Sequence, residues 1–368
     1  SDSYENRLIT ALGLFLDQNH ESSETKLRSL TRDYPNSRSG YLLHADVLAA
    51  RAGLAPVLAE EMEHLGKDQV SELRQQLQAR WAYLNVIRFA RKDLVPGPLL
   101  QLKESQRWII YMDIPAKRLF VFEHMHGRLN EIASFYATIG VAGFNKRLEG
   151  DQKTPVGVYT ITGFIPGRQL HEKYGPGALT LNSPNEIDRL RKRTGSGIWI
   201  HGTEPGFVNR SPRASDGCLT LANDDFLILS NIVQNSSDVP VLIDNDPEWI
   251  DINEKNRRRT AVWEVIERWH ERESTLGFPS LTNFYSENYQ YLSSTNTNLA
   301  NKTVKTNSSH NTLEIRNTQV LEYPGEDNVY VADVSLMLGN KKIIDVRQYW
   351  QRNAINEWSI LAQVRIQN

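Results

Sequence analysis

"IWIHGTEPGFVNRSPRASDGCLTL", Ile198–Leu221, contains the only cysteine of a 368-residue chain. The apolar run that opens it ends on His201, as a strand ends at the mouth of a sheet. A polar segment with Arg210 and Arg213 then leads to Ser215, Asp216, Gly217 and Cys218. A nucleophilic cysteine needs a base within hydrogen-bond reach and surroundings that help it shed its proton. His201 is the candidate base, and Gly217 allows successive backbone N–H groups to converge on an oxyanion. The commoner fate of a single cysteine is a small buried hydrophobe, so spacing alone leaves both readings open. One cysteine excludes an intramolecular disulfide, and in an exported protein it marks a thiol worth testing for reactivity.

Outward from this stretch the pattern is β. "RWIIYMDIPAKRLFVFEHMHGRLNEIASFYATIG", Arg107–Gly140, contains β-rich runs separated by short polar turns, as in a meander of hairpins. "GVYTITGFI" and "VPVLIDN" add further strands. Upstream, residues 4 to 93 carry apolar residues at three- and four-residue spacings in four segments that predict helices. Ser23 is placed to cap the second, and Pro35 and Gly53 mark stops. "DLVPGPLLQL", residues 93–102, reads as a linker. Downstream, a helical pattern around Val262, Trp263, Val265, Ile266 and Trp269 precedes Tyr285, a polar stretch at 293–310 that reads as a mobile loop, and long alternating strands. Those six apolar and aromatic positions are expected to form a core against the sheet.

Three blocks carry a resemblance. "GIWIHGT" followed after a loop by "SDGC", "GDQKTPVGVYTI" (Gly150–Ile161) and "YGPGALTLNSPNEIDR" (Tyr174–Arg189) together resemble the L,D-transpeptidase catalytic domain family, in the family's order. The resemblance implies a mainly β catalytic fold acting on peptidoglycan stem peptides. Cys218 would attack the carbonyl of the third stem residue and expel the terminal D-alanine. His201 would take the thiol proton or stand as an ion pair with it, oriented by the carbonyl of Gly202. Backbone N–H groups of Asp216, Gly217 and Cys218 would form the oxyanion hole, and Tyr174, Arg210, Arg213 and Ser215 would contact substrate. Two positions depart from the family pattern: Asp216 stands where many members have His, and Thr220 where many have Arg. Thr154, Pro155 and Gly157 read as architectural, since such residues fix turns.

The expected organisation is a multidomain α+β protein: a helical docking domain at 1–93, an L,D-transpeptidase-like catalytic domain at 104–246, and an α+β domain at 256–368. The last resembles nuclear-transport-factor-2-like (NTF2-like) domains. The three-part order resembles a cell-shape-determining group whose members are known as L,D-carboxypeptidases. Transpeptidase, carboxypeptidase and non-enzymatic wall-binding scaffold all remain open at this point. With 42 Lys and Arg against 44 Asp and Glu, no broad basic field argues for nucleic acid. No apolar run is long enough to span a bilayer. The chain begins at Ser1, and an exported or periplasmic protein with a removed signal is expected. His124 and His126 alternate to one face of a hairpin, but no third ligand has recognisable spacing, so neither metal nor cofactor is expected. Expected partners are stem peptides, with a protein partner or homodimer contacting the helical or NTF2-like domain.

Overall fold

The computed structural model describes residues 3–55, 69–90, 93–236, 238–276, 284–291 and 313–366. The stretch 293–310 lies outside them. The chain begins with helices α1 (Tyr4–Leu16), α2 (His20–Asp33), α3 (Arg38–Arg51) and α4 (Gln69–Ala90). Ser3, Asn19 and Ser37 cap the first three, each accepting from a backbone N–H three residues on. Ser23, expected as the cap of α2, lies inside that helix and donates to Ala11 O at 2.8 Å. Asn19 starts the helix four residues earlier, and burial of Ser23 makes a contact between α1 and α2 its better use. Leu8, Leu12, Leu27, Leu30, Leu43, Val47 and Leu77 close this layer with no exposed surface.

Strands follow: β1 (Val95–Pro96), β2 (Trp108–Asp113), β3 (Arg118–Met125), β4 (Arg128–Tyr136), β5 (Ile139–Gly140), β6 (Gly157–Pro166) and β7 (Gly177–Leu181). Next come α5 (Glu186–Leu190), β8 (Trp199–His201), β9 (Arg213–Ser215), β10 (Leu219–Thr220), α6 (Asn223–Val233), β11 (Pro240–Asp244) and β12 (Trp249–Ile250). Eight of these form one mixed sheet in the order β10-β8-β7-β6-β11-β2-β3-β4. Alternation in its strands divides the interior in two. Ile110, Met112, Leu119 and Val121 face a core shared with Ile200, Leu219 and α6. Ile109, Tyr111, Phe120 and Phe122 face the opposite way, toward Tyr83, Leu321 and Tyr323. The segment expected as a linker is part of the fold: β1 pairs with β12, and Leu99 and Leu100 are wholly buried.

The last elements are α7 (Ile252–Leu276), β13 (Tyr285–Tyr291), β14 (Leu313–Glu322), β15 (Val329–Leu338), β16 (Lys341–Arg352) and β17 (Trp358–Arg365). The five strands make a second sheet in the order β13-β17-β16-β15-β14. Val262, Val265, Ile266 and Trp269 of α7 pack against it, with Trp263 and Tyr285 at the margin.

Two polar seams join these layers. Glu5 of α1, with no exposed side-chain surface, bridges Arg80 of α4 at 2.7 Å and Arg118 of β3. Arg80 and Arg118 also lie 4.0 Å over the rings of Tyr136 and Tyr83. On the other side, Tyr323 follows β14 and lies against Gly157, where an added Cβ would come within 2.4 Å of its hydroxyl. Asn185 Nδ2 donates to that hydroxyl at 2.7 Å.

Candidate active site

His201 ends β8, between β7 and β10 in the sheet, and Cys218 immediately precedes β10. The short parallel pairing Leu219↔Ile200 and Thr220↔His201 therefore brings the two together across the intervening loop. Both line one cavity of about 190 Å³ with Lys173, Tyr174, Gly197, Arg210 and Asp216 among its walls. Behind them α6 holds the sheet edge: Phe226, Leu229 and Val233 recur at helical spacing and face the core. The sequence reading gives no helix there.

His201 is 3% exposed, and its Nδ1 lies 2.6 Å from Gly202 O. A carbonyl only accepts, so Nδ1 carries the proton and Nε2 is left with a lone pair. This is the tautomer a general base requires. Nε2 meets Thr220 Oγ1 at 3.4 Å, which places the departure at Thr220 against the imidazole itself. Tyr174 presents its ring edge-on to His201 at 4.9 Å and also packs on Trp199. Gly202 is required by space, because a Cβ there would come within 2.3 Å of Asn223 Oδ1. Asn223 uses that oxygen to accept from Thr203 N at 2.8 Å.

Burial pulls the His201 pKa down to about 4; the Gly202 carbonyl opposes this, while Arg210 and Lys173 add to it. Burial pushes the Cys218 thiol up, against the Trp199 backbone N–H, and the Asp216 charge raises it further. The thiol donates weakly to Gly197 O at 3.5 Å. Of the two forms expected for the pair, the resting site therefore favours neutral thiol and neutral imidazole over the ion pair. Such a site works by moving the proton during attack.

The turn under Cys218 is tied by two hydroxyls. Ser215 Oγ accepts from Gly217 N at 3.1 Å and donates to Cys218 O at 2.7 Å. Thr154 Oγ1, wholly buried, donates to Gly217 O and accepts from Gly140 N, both at 2.9 Å. Gly217 adopts φ +122°, a conformation glycine takes without strain. Ser215, expected at the substrate, thus has its hydroxyl engaged in the turn, and the Gly217 N–H is directed at that hydroxyl. Arg210 is held by Glu204, by Thr203 Oγ1 at 3.1 Å and by Lys173 O at 3.1 Å. Arg213 projects outside the cavity, beside Gly143. Asp216 points to solvent and pairs with Lys173 Nζ at 3.4 Å rather than with an arginine. Sequence reasoning passed over Lys173, whose only signal was its place before Tyr174.

Residues 107–243 match the family model for the L,D-transpeptidase catalytic domain, YkuD. This region is a YkuD domain. The match supports a peptidoglycan-modifying enzyme of the cysteine peptidase or transpeptidase class. Similarity to solved structures reaches beyond the YkuD domain. Bd1075 of Bdellovibrio bacteriovorus aligns at 22% identity and TM-score 0.62 over 75% of this chain and 99% of its own. The helical cell shape determining protein Pgp2 of Campylobacter jejuni aligns at 19% identity and TM-score 0.57, covering 76% of this chain and 98% of its own. At these identities the likeness speaks for the fold. No curated protein matches the chain.

Proposed function

We propose that the protein is a cysteine acyl-transfer enzyme that cuts stem tetrapeptides of peptidoglycan after their third residue. The observation that carries this reading is the His201 tautomer, set by Gly202 O, in the cavity that also holds Cys218. As Cys218 Sγ bonds to the substrate carbonyl carbon, its proton passes to His201 Nε2. Backbone N–H groups of Asp216 and Cys218 steady the oxyanion, with Gly217 joining if its bond to Ser215 opens. The C–N bond then breaks, the proton moves from His201 to the departing amine of D-alanine, and a thioester remains. The raised thiol pKa fits this route, because the proton leaves only during attack.

Transfer of the acyl group to an amine makes the enzyme an L,D-transpeptidase; transfer to water makes it an L,D-carboxypeptidase. The three-part order, which resembles cell-shape-determining L,D-carboxypeptidases, supports the second outcome as the competing reading. With it come an NTF2-like role for the α7 sheet layer, a docking role for the helices, a place in the periplasm, and work on the cell wall that sets cell shape. Tyr174 and Arg210 remain our candidates for substrate contact, and Arg213, outside the cavity, does not. Mass spectrometry of disaccharide-tetrapeptides incubated with the protein tests the reading. Dimers linked between third residues would mean transpeptidation, and tripeptides without dimers would mean hydrolysis. Equal product from Cys218→Ala would sink both.

A further inference from the structure

The cavity at Cys218, about 190 Å³, is smaller than the roughly 300–1,000 Å³ common for ligand sites. Lys173 and Arg210 line it and also line a second cavity of about 360 Å³. The helices form the far wall of this second space: Tyr4 of α1, Ser37 to Ser39 at the start of α3, and Gln76 of α4, opposite Phe207. Its polar floor is fixed in advance. Tyr4 Oη and Ser37 Oγ share a hydrogen bond of 2.7 Å, Ser39 Oγ donates to Gln76 Oε1 at 2.7 Å, and all four residues are buried.

Charge in this wall is uneven. Arg38, Lys173 and Arg210 face two carboxylates, Glu72 and Glu204. Glu204 holds Arg210, and Asp216 holds Lys173. Arg38 lies over the Phe207 ring at 5.7 Å and, among the described residues, makes no ion pair. We infer that the two cavities form one cleft, whose outer part takes a carboxylate-bearing stretch of the stem peptide, with Arg38 meeting the carboxylate. This rests on the acyl-transfer reading and deepens it: the helical layer becomes part of the substrate site. A planar guanidinium held against a ring is suited to a carboxylate. The stem offers such groups at its second residue and at its terminal D-alanine, so the chemistry is shared and the source is left to experiment.

The test is calorimetric titration of disaccharide-tetrapeptide into the full chain bearing Cys218→Ala, with and without Arg38→Gln. Arg38 is exposed, so the substitution leaves the fold in place. Binding should weaken about tenfold with Arg38→Gln and recover in part with Arg38→Lys. Peptides amidated at one carboxylate or the other identify the group, since the relevant one will bind both proteins alike. Equal affinity of the two proteins for the unmodified peptide overturns the inference, as does an Arg38 dependence that survives amidation of every carboxylate. If the wild type turns over tetrapeptide while binding ignores Arg38, the functional reading stands and this one falls. If neither variant binds the peptide and the wild type leaves it uncut, both fall.

Discussion

Thr154→Val probes the turn beneath the nucleophile. Valine matches threonine in shape and removes only the hydroxyl, which is wholly buried between Gly140 N and Gly217 O. In a trans peptide the carbonyl and the next N–H point to opposite sides, so anchoring Gly217 O also sets the direction of the Cys218 N–H. The substitution leaves one buried donor and one buried acceptor unmet. Each costs about 1–3 kcal/mol, and relief from burying the hydroxyl reduces the sum to about 2–4 kcal/mol. A loss of that size lowers Tm by roughly 5–12 °C in a chain with a unit of this length. If the Cys218 N–H is an oxyanion donor, releasing it should slow acylation about a hundredfold. Thermal unfolding of the full chain and single-turnover release of D-alanine are the two readouts. A variant within 1–2 °C of wild type whose acylation rate is within twofold would refute the reasoning on both counts.

Three further outcomes follow from burial and charge. Alkylation of resting Cys218 by iodoacetamide should stay slow at neutral pH and accelerate only in the alkaline range, while the acid limb of kcat/KM should lie near about 4, where His201 gains its second proton. Fast alkylation, constant from pH 5 to 8, would instead indicate a standing thiolate–imidazolium pair. Glu5→Gln leaves Arg80 and Arg118 buried without their carboxylate and should cost about 3–5 kcal/mol in denaturant unfolding; a change below 1 kcal/mol would contradict that burial. Asp225, buried in α6 near Glu5, Arg118, Arg80 and Ser3, has its pKa raised to about 8 by burial and by the Glu5 charge. The folded chain therefore holds a proton that the unfolded chain has lost above about pH 4. Stability should fall as pH rises from about 4 to 8, and Asp225→Asn should flatten that slope. An unchanged slope in the variant would assign the dependence elsewhere.

The parts of the site legible in the sequence are those that chemistry ties to residue identity. Cys218, His201 and Gly202 fall together because a nucleophile, a base and a crowded glycine admit few substitutes. The contacts around them depend on distances across the fold. Lys173 meets Asp216 across 43 positions only because a short 3₁₀ turn, Glu172–Tyr174, lies over the cavity. Arg210 and Arg213 look alike in the quoted segment, yet Glu204 holds the first at the cavity and the second projects away. The same contrast runs through the fold. The β-rich runs of Arg107–Gly140 announced a meander of hairpins, whereas β1 is two residues long and includes a proline, so no periodicity could reveal it. Ser23 had the right residue type for a cap, but its burial against α1 decided otherwise.

Gly157 has a consequence for how this protein can be taken apart. It belongs to the block that resembles the L,D-transpeptidase family, and the atom it lacks is the one Tyr323 displaces. Tyr323 comes from the far end of the chain, beyond β14. A transplanted catalytic region would expose the hollow that this phenol fills, and a transplanted C-terminal sheet would need a host glycine at the same point. The two therefore travel as a matched pair, and recombination between relatives should succeed only where glycine and tyrosine are inherited together.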